Sequence, residues 1–206
     1  MTAGRGPRAR ARIAQRWYGS PFLKVERWVP QVGRIVDLGC GFGLFSAVLA
    51  LGQPERVVHG IDVDARKIER AKALFGVLPN VEFQCLDLAD ARLEPCDAVV
   101  FYDVLHHLRD ALVERLLAAA YDALSPGGQI IVKENDTEPF LKRQISEVVE
   151  RVAVGLSITQ SDPVHFRSRG EWVAALEAVG FRIRHAEHLR AKEGFFVPHS
   201  LFVGER

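Results

Sequence analysis

Asp37, Gly39, Gly41 and Gly43 stand at alternate positions in the stretch Ile35-Val-Asp-Leu-Gly-Cys-Gly-Phe-Gly-Leu-Phe45. Glycine lacks the Cβ that would keep a ligand away from the backbone. The N–H groups that open the following helix have no partner inside it, so they suit a polar or anionic group. Further residues of reactive type sit at the ends of other apolar runs. Asp62 and Asp64 close one run and Asp87 another; Tyr102, Asp103, His106 and His107 follow a third; Lys133-Glu-Asn-Asp-Thr137 ends a fourth. Charge placed at the end of an apolar strand is desolvated, which shifts its pKa and suits it to proton transfer. His165 and Arg167 lie in Asp162-Pro-Val-His-Phe-Arg-Ser168, ahead of a helix, where a loop can form a wall.

These residues need strands and helices to hold them. Hydrophobic spacing predicts strands over Ile35–Leu38, Arg56–Asp64, Asn80–Leu88 and Gln129–Lys133, and a fourth strand with its exit loop over Cys96–Leu108. Helices are predicted from Leu44, over Ala65–Phe75, and over Asp110–Leu124, with Ser125-Pro-Gly-Gly128 as a turn. The Ala98–Phe101 run is continuously apolar, as in a strand buried on both faces. Strand and helix alternate, which predicts a parallel, doubly wound sheet. Helices over Phe140–Leu156 and Arg169–Val179 and a closing antiparallel hairpin, Phe181–Glu187 with Phe195–Val203, complete the reading. Asp62 lies at a strand end about 20 residues beyond the glycines, where a carboxylate can accept from both hydroxyls of a ribose. Asp64 suits the cap of the next helix. Asp87 can accept from the amino group of an adenine with Leu88 against the ring, or it is a turn residue.

The chain has 206 residues and a formal net charge of +1. That length suits one domain with a sizeable core, and the charge balance gives no general case for nucleic-acid binding. Cys40, Cys85 and Cys96 are scattered with no Cys-x-x-Cys, so reduced thiols and a cytoplasmic location are expected. No apolar run is long enough to span a membrane. Residues 1–33 read as a basic arm (Arg5, Arg8, Arg10, Arg12, Arg16) and a helix over Ile13–Val32, broken at Ser20-Pro21. The arm is a solvated terminus or an RNA or acidic-lipid contact. The helix, with Trp17, Tyr18, Phe22, Val25 and Trp28 on one side, packs on the sheet or forms a lid. Residues 34–206 are read as one domain with a substrate-side insertion around 137–169.

The glycine spacing is not the dinucleotide Gly-x-Gly-x-x-Gly, because Leu44 stands where the third glycine would be. Asp37-Leu-Gly-Cys-Gly-Phe-Gly43, Gly60-Ile-Asp62, Leu86-Asp-Leu88, Asp97-Ala-Val-Val100 with Leu105-His-His-Leu108, and Leu124-Ser-Pro-Gly-Gly128 occur in that order. This set resembles the successive motifs of class I S-adenosylmethionine-dependent methyltransferases of small-molecule type, over about Arg34 to Glu134. The resemblance implies a Rossmann-like, seven-stranded, mostly parallel sheet with an antiparallel C-terminal strand. It implies S-adenosylmethionine at the carboxyl ends of the first strands. By position, Asp37, Gly39, Cys40 and Gly41 would face its methionine part, and Gly43 would permit the turn. Asp62 would hold the ribose, Asp87 and Leu88 the adenine, and Tyr102 or Asp103 would lie near the methionine end.

Methyl transfer from a sulfonium is an in-line displacement in which the protein aligns the acceptor and excludes water. An oxygen or carbon acceptor can also need a base, expected at the ends of the fourth and fifth strands. His106, His165, Glu134 and Asp136 are the candidates. Glu134 and Asp136 could instead pair with Lys142, Arg143 or Arg167. His106 could be a loop hydrogen-bonding residue. His165 could bind a backbone carbonyl, with Arg167 an anion clamp if it does not. Adjacent histidines in extended chain point apart, so one of His106 and His107 is expected to face the site. Asp103, Glu134, Asn135 and Asp136 have the oxygen ligands Mg²⁺ takes, but their spacing is not specific, and no metal is expected. The expected partner is a small molecule of natural-product or lipid type. Peripheral membrane contact through Phe140–Leu156 is open; nothing in the sequence sets an oligomeric state. The alternatives are a nucleic-acid methyltransferase and a non-catalytic binding module. Tyr102-Asp-Val-Leu-His106 lacks the Asn/Asp-Pro-Pro-Tyr/Phe of amino-directed nucleic-acid enzymes.

Overall fold

Residues alternate between two cores along the central strands. Ile35, Ala98, Val100, Ile131 and Val203 face one, while Val36, Val99, Phe101, Ile130 and Phe202 face the other. Successive side chains of a strand point to opposite faces, so continuous apolar runs require cover on both. A computed structural model describes residues 21–135, 167–189 and 199–206. Its strands are β1 (Gly33–Leu38), β2 (Arg56–Asp62), β3 (Val81–Cys85), β4 (Cys96–Tyr102), β5 (Leu124–Asn135), β6 (Arg182–Leu189) and β7 (His199–Glu205). Its α-helices are α1 (Phe22–Glu26), α2 (Leu44–Gly52), α3 (Ala65–Phe75), α4 (Asp110–Ala123) and α5 (Arg169–Val179). Phe22, Phe45, Leu49, Ile68 and Ala71 bring α1, α2 and α3 to one face. Val113, Leu117, Trp172 and Leu176 bring α4 and α5 to the other.

The sheet order is β3-β2-β1-β4-β5-β7-β6. β1 pairs in parallel with both β2 and β4, so the chain reverses its direction of winding between them. Ligands of open α/β sheets bind in the crevice at the carboxyl ends of such neighbours. β7 alone is inverted: it is antiparallel to β5 and to β6. The seven-stranded, mostly parallel sheet of the sequence reading is therefore the observed one.

Three details differ from that reading. Ser125-Pro-Gly-Gly128 lies inside β5, as an irregularity where the β4 partner jumps from Leu124 to Gln129. Gly127 has φ 80°, and the amide of Arg206 bonds the carbonyl of Gly128, so β5 keeps sheet-like bonds there. β7 runs on to Glu205, two residues past Val203, while the expected start at Phe195 falls in 190–198, outside the described residues. The leading helix, where described, ends at Glu26. Pro30 has no N–H to continue it and disfavours helical backbone before it. The fully buried guanidinium of Arg56 instead bonds the carbonyls of Val29 (2.9 Å), Pro30 (2.6 Å) and Leu49 (3.1 Å) and the carboxylate of Glu26 (2.6 Å).

The arm up to residue 20, the insertion, the helix Phe140–Leu156 and the residues Trp17, Tyr18, Asp136, Lys142, Arg143 and His165 lie outside the described residues. No described helix is long and apolar enough to cross a membrane.

Arg56 ties the leading segment to the sheet. Replacing it by Met should leave Glu26 and three carbonyls short of a donor and lower stability by about 3 kcal/mol. Urea denaturation followed by circular dichroism would measure this. Val57→Ala, next to it and exposed, should change stability little.

Candidate active site

The glycine loop is strapped to the end of β2. The carbonyl of Ile61 accepts from the amides of Gly39 (2.7 Å) and Cys40 (3.0 Å). The carboxylate of Asp62 accepts from the amide of Gly41 at 2.8 Å, and its other oxygen accepts from the amide of Asp64 at 2.9 Å. Gly39 has φ 78°, and a Cβ there would stand 2.3 Å from Val104. Gly43 has φ 71° and precedes α2; a Cβ there would meet the ring of Phe83 at 2.5 Å. Both positions thus require glycine twice over, by backbone conformation and by space.

Beside the loop lies an open cleft lined by Phe22, Asp37, Gly39, Cys40, Phe42, Leu44, Phe45 and Tyr102. Asp37 is buried at the end of β1, where the hydroxyl of Ser46 donates to it at 2.5 Å. Phe22, Phe45 and Tyr102 form an aromatic wall, with ring centroids 4.7 to 5.7 Å apart. Burial, then the carboxylates of Asp37 and Asp62, push the Cys40 thiol well above its usual range, so it is held protonated.

The structure gathers Asp37, Gly39, Cys40 and Tyr102 around the cleft, while Gly41 and Gly43 shape the turn. The amides of Gly39, Cys40 and Gly41 are taken up by β2, so the loop offers a ligand a fixed surface more than donors. Asp62 stands behind the loop. Each carboxylate oxygen has a second lone pair, which leaves it able to accept from a diol. Asp64 caps α3 by accepting from Arg66 and Lys67, as expected. Asp87 is exposed past β3 and accepts from the amide of Ala89 at 2.9 Å, a turn arrangement; Leu88 is buried.

At the ends of β4 and β5 a second set of polar groups is buried. One oxygen of Glu134 accepts from the amides of Val104 (3.0 Å) and Leu105 (2.7 Å). The other meets Nδ1 of His106 in a short hydrogen bond. Glu134 is fully enclosed. Its partner is not Arg167, which binds Asp110 at 2.6 Å and lies over the ring of Trp172. Leu105–His107 is a 3-10 turn, not extended chain, so the two histidines do not diverge; their ring centroids are 4.0 Å apart. Asp103 receives Nζ of Lys133 at 2.5 Å, and that Nζ is 2.8 Å from Nδ1 of His199.

Burial pushes the Asp103 carboxyl up. Lys133, His199 and His106 outweigh it and hold the group well below the usual carboxylate range. The sequence reading missed Lys133 and His199 as site residues. Lys133 carried a signal, a charge inside an apolar strand; His199 carried none, because it comes from β7. It also missed Phe42 and Phe45 as cleft walls; Phe22 belongs to the face read as sheet packing or a lid.

Two outcomes follow. Glu134→Ala should release two backbone amides and His106 and cost about 3 kcal/mol in a denaturation experiment; an acceptor-side base with no positioning role would leave stability unmoved. The Asp103 pair should stabilise the fold fully above the ordinary aspartate value of about 3.9 and lose that contribution as pH falls through the lower native value. The stability difference between wild type and Asp103→Asn should therefore shrink in acid, measured by urea midpoints from neutral pH downwards.

Residues 35–128 match a family model described as "Methyltransferase domain". The carboxy-S-adenosyl-L-methionine synthase of Psychrobacter arcticus is 32% identical over 126 residues, 59% of this chain and 48% of that protein. The N,N-dimethyltransferase OxyT of Streptomyces rimosus is 30% identical over 164 residues, 76% of this chain and 45% of that one. The chain thus spans about half the length of these curated relatives. The crystal structure of an S-adenosylmethionine-dependent methyltransferase from Mesorhizobium loti shares the fold, with a TM-score of 0.71 at 24% identity over 89% of this chain and 96% of that one. The matched stretch runs from β1 into β5 and carries the glycine loop, Asp62 and Tyr102, so over residues 35–128 the chain is similar to methyltransferase domains and its sheet has their fold.

Proposed function

We propose that the protein transfers the methyl group of S-adenosylmethionine to an oxygen or carbon atom of a small molecule. The observation that carries this reading is the glycine loop bound to Asp62 through Gly41, beside an aromatic-walled cleft at the switch point between β1 and β4. When bound, S-adenosylmethionine supplies a methyl group already activated on a sulfonium.

In this reading Asp62 accepts from the ribose hydroxyls, and Asp87 and Leu88 hold the adenine. Asp37, Gly39 and Cys40 face the methionine part. Gly41 and Gly43 hold the loop in shape. Tyr102 and Asp103 stand at the methyl end, where Phe22, Phe42 and Phe45 exclude water. The proton of an oxygen or carbon acceptor goes to a base, proposed among His106, His165 and Asp136. Glu134 serves this step by fixing His106 through Nδ1, which sets the ring's tautomer and orientation. The balanced charge of the chain and the exit sequence Tyr102-Asp-Val-Leu-His106 support a small-molecule acceptor over a nucleic acid. A nitrogen acceptor is the second reading, favoured by the relative named as an N,N-dimethyltransferase.

Calorimetric titration with S-adenosylmethionine, S-adenosylhomocysteine and NAD tests the cofactor assignment. Both sulfur compounds should bind, with Kd on the order of micromolar, and NAD should not. Asp62→Ala should weaken binding roughly 10- to 100-fold through loss of two charge-assisted hydrogen bonds. Binding of neither sulfur compound would overturn the reading.

A further inference from the structure

The ion pair at the end of β4 has no role in the chemistry described so far, yet its placement is specific. Asp103 has φ 55° and is the single non-glycine residue at positive φ among those described. Such backbone occurs as an exception outside glycine, mostly in Asn and Asp, and gathers at functional sites. The residue before it, Tyr102, lines the cleft. The residue after it, Val104, packs against Gly39 on the cleft floor. Asp103 is thus set between wall and floor. Its Oδ1 is bound by Lys133, and no donor among the described residues reaches its Oδ2.

Lys133 is fully buried, and its ammonium lies 5.0 Å from the centroid of the Tyr102 ring. The cleft lining itself holds one carboxylate, Asp37, four aromatic rings and no cationic side chain. Carboxylates and aromatic faces attract a cation. A bare ammonium one ring away would repel it; Asp103 cancels that charge, and His199 keeps the ammonium in place from the far side.

We infer that the Asp103–Lys133 pair sets the charge of the cleft so that it distinguishes a cationic sulfonium donor from its neutral thioether product. This rests on the cofactor reading above. On transfer, the S–CH₃ bond breaks and a bond from acceptor to CH₃ forms. The sulfur keeps the electron pair and becomes neutral, and the proton of the acceptor is released. The charge that Asp103 favours is then gone from the sulfur, so this contribution to binding is lost with the product.

The test measures three ligands by calorimetry: S-adenosylmethionine, S-adenosylhomocysteine, and an analogue with an amine-bearing carbon in place of the sulfonium. Asp103→Asn keeps a side chain that tolerates left-handed backbone, removes the anion and uncovers Lys133. It should weaken both cationic ligands on the order of tenfold relative to S-adenosylhomocysteine. Asp103→Asn combined with Lys133→Met should restore much of that ratio, because the opposing charge is gone as well. A purely structural role for Asp103 would lower all three affinities together, and that result overturns the inference. So does an unchanged ratio in Asp103→Asn, or a ratio that Lys133→Met fails to restore. Wild-type protein that binds none of the three overturns the cofactor reading itself, a result distinct from the others.

Discussion

Three successive amides of the glycine loop are bound by two groups at the end of β2, the carbonyl of Ile61 and the carboxylate of Asp62. The rest of the site depends on this strap. A stretch with glycine at every second position has the largest backbone entropy to lose, and without partners it would not hold one shape. The strap continues the β1–β2 ladder past its last paired residues, Leu38 and Ile61. It turns the loop's donors inward and leaves the side chain of Asp37 and the backbone of Gly39 facing the cleft. It also fixes where α2 begins, and α2 carries Phe45 to the cleft wall and Ser46 to Asp37.

The opposite wall is built by the same device. The chain leaving β4 has no ladder to follow, and Glu134 of β5 supplies one by accepting from Val104 and Leu105. In both walls a carboxylate at the end of the neighbouring strand binds backbone amides of the loop. Charge-assisted bonds of this kind are stronger than neutral ones, and inside a buried site they strongly favour one arrangement. Beside Glu134, the inverted direction of β7 matters. A parallel strand would bring its carboxyl end to this edge, but β7 brings its first residue, His199, next to Asn135. Lys133 therefore has a partner on each side: Asp103 from β4 and His199 from β7.

Much of this was legible in the chain. Period-two and period-3.6 spacing placed β1, β2, β4, α3 and α5 to within a residue or two, because buried strands and amphipathic helices repeat on their own geometry. The glycine spacing marked the loop, since left-handed backbone and close approach both exclude a Cβ. Asp64 was legible as a cap because capping is local. Contacts set by distant partners were not: Arg56 of β2 holds the turn after the leading helix, and Arg206 holds the Ser125–Gly128 segment in the sheet.

Local pattern thus determined the elements, their order, the parallel sheet, and the loop and carboxylates at the strand ends. These follow from side-chain period and backbone conformation, which act between near neighbours. Only the tertiary structure decided what each carboxylate binds. It set the Glu134 carboxylate in hydrogen bonds to His106 and two amides. It turned Lys133 from a strand residue into the charge that keeps Asp103 ionised, and it brought His199 from 66 residues away to complete that pair. Hydrogen bonds and charges act through distance in space, and distance in space between remote segments is set by the packed sheet.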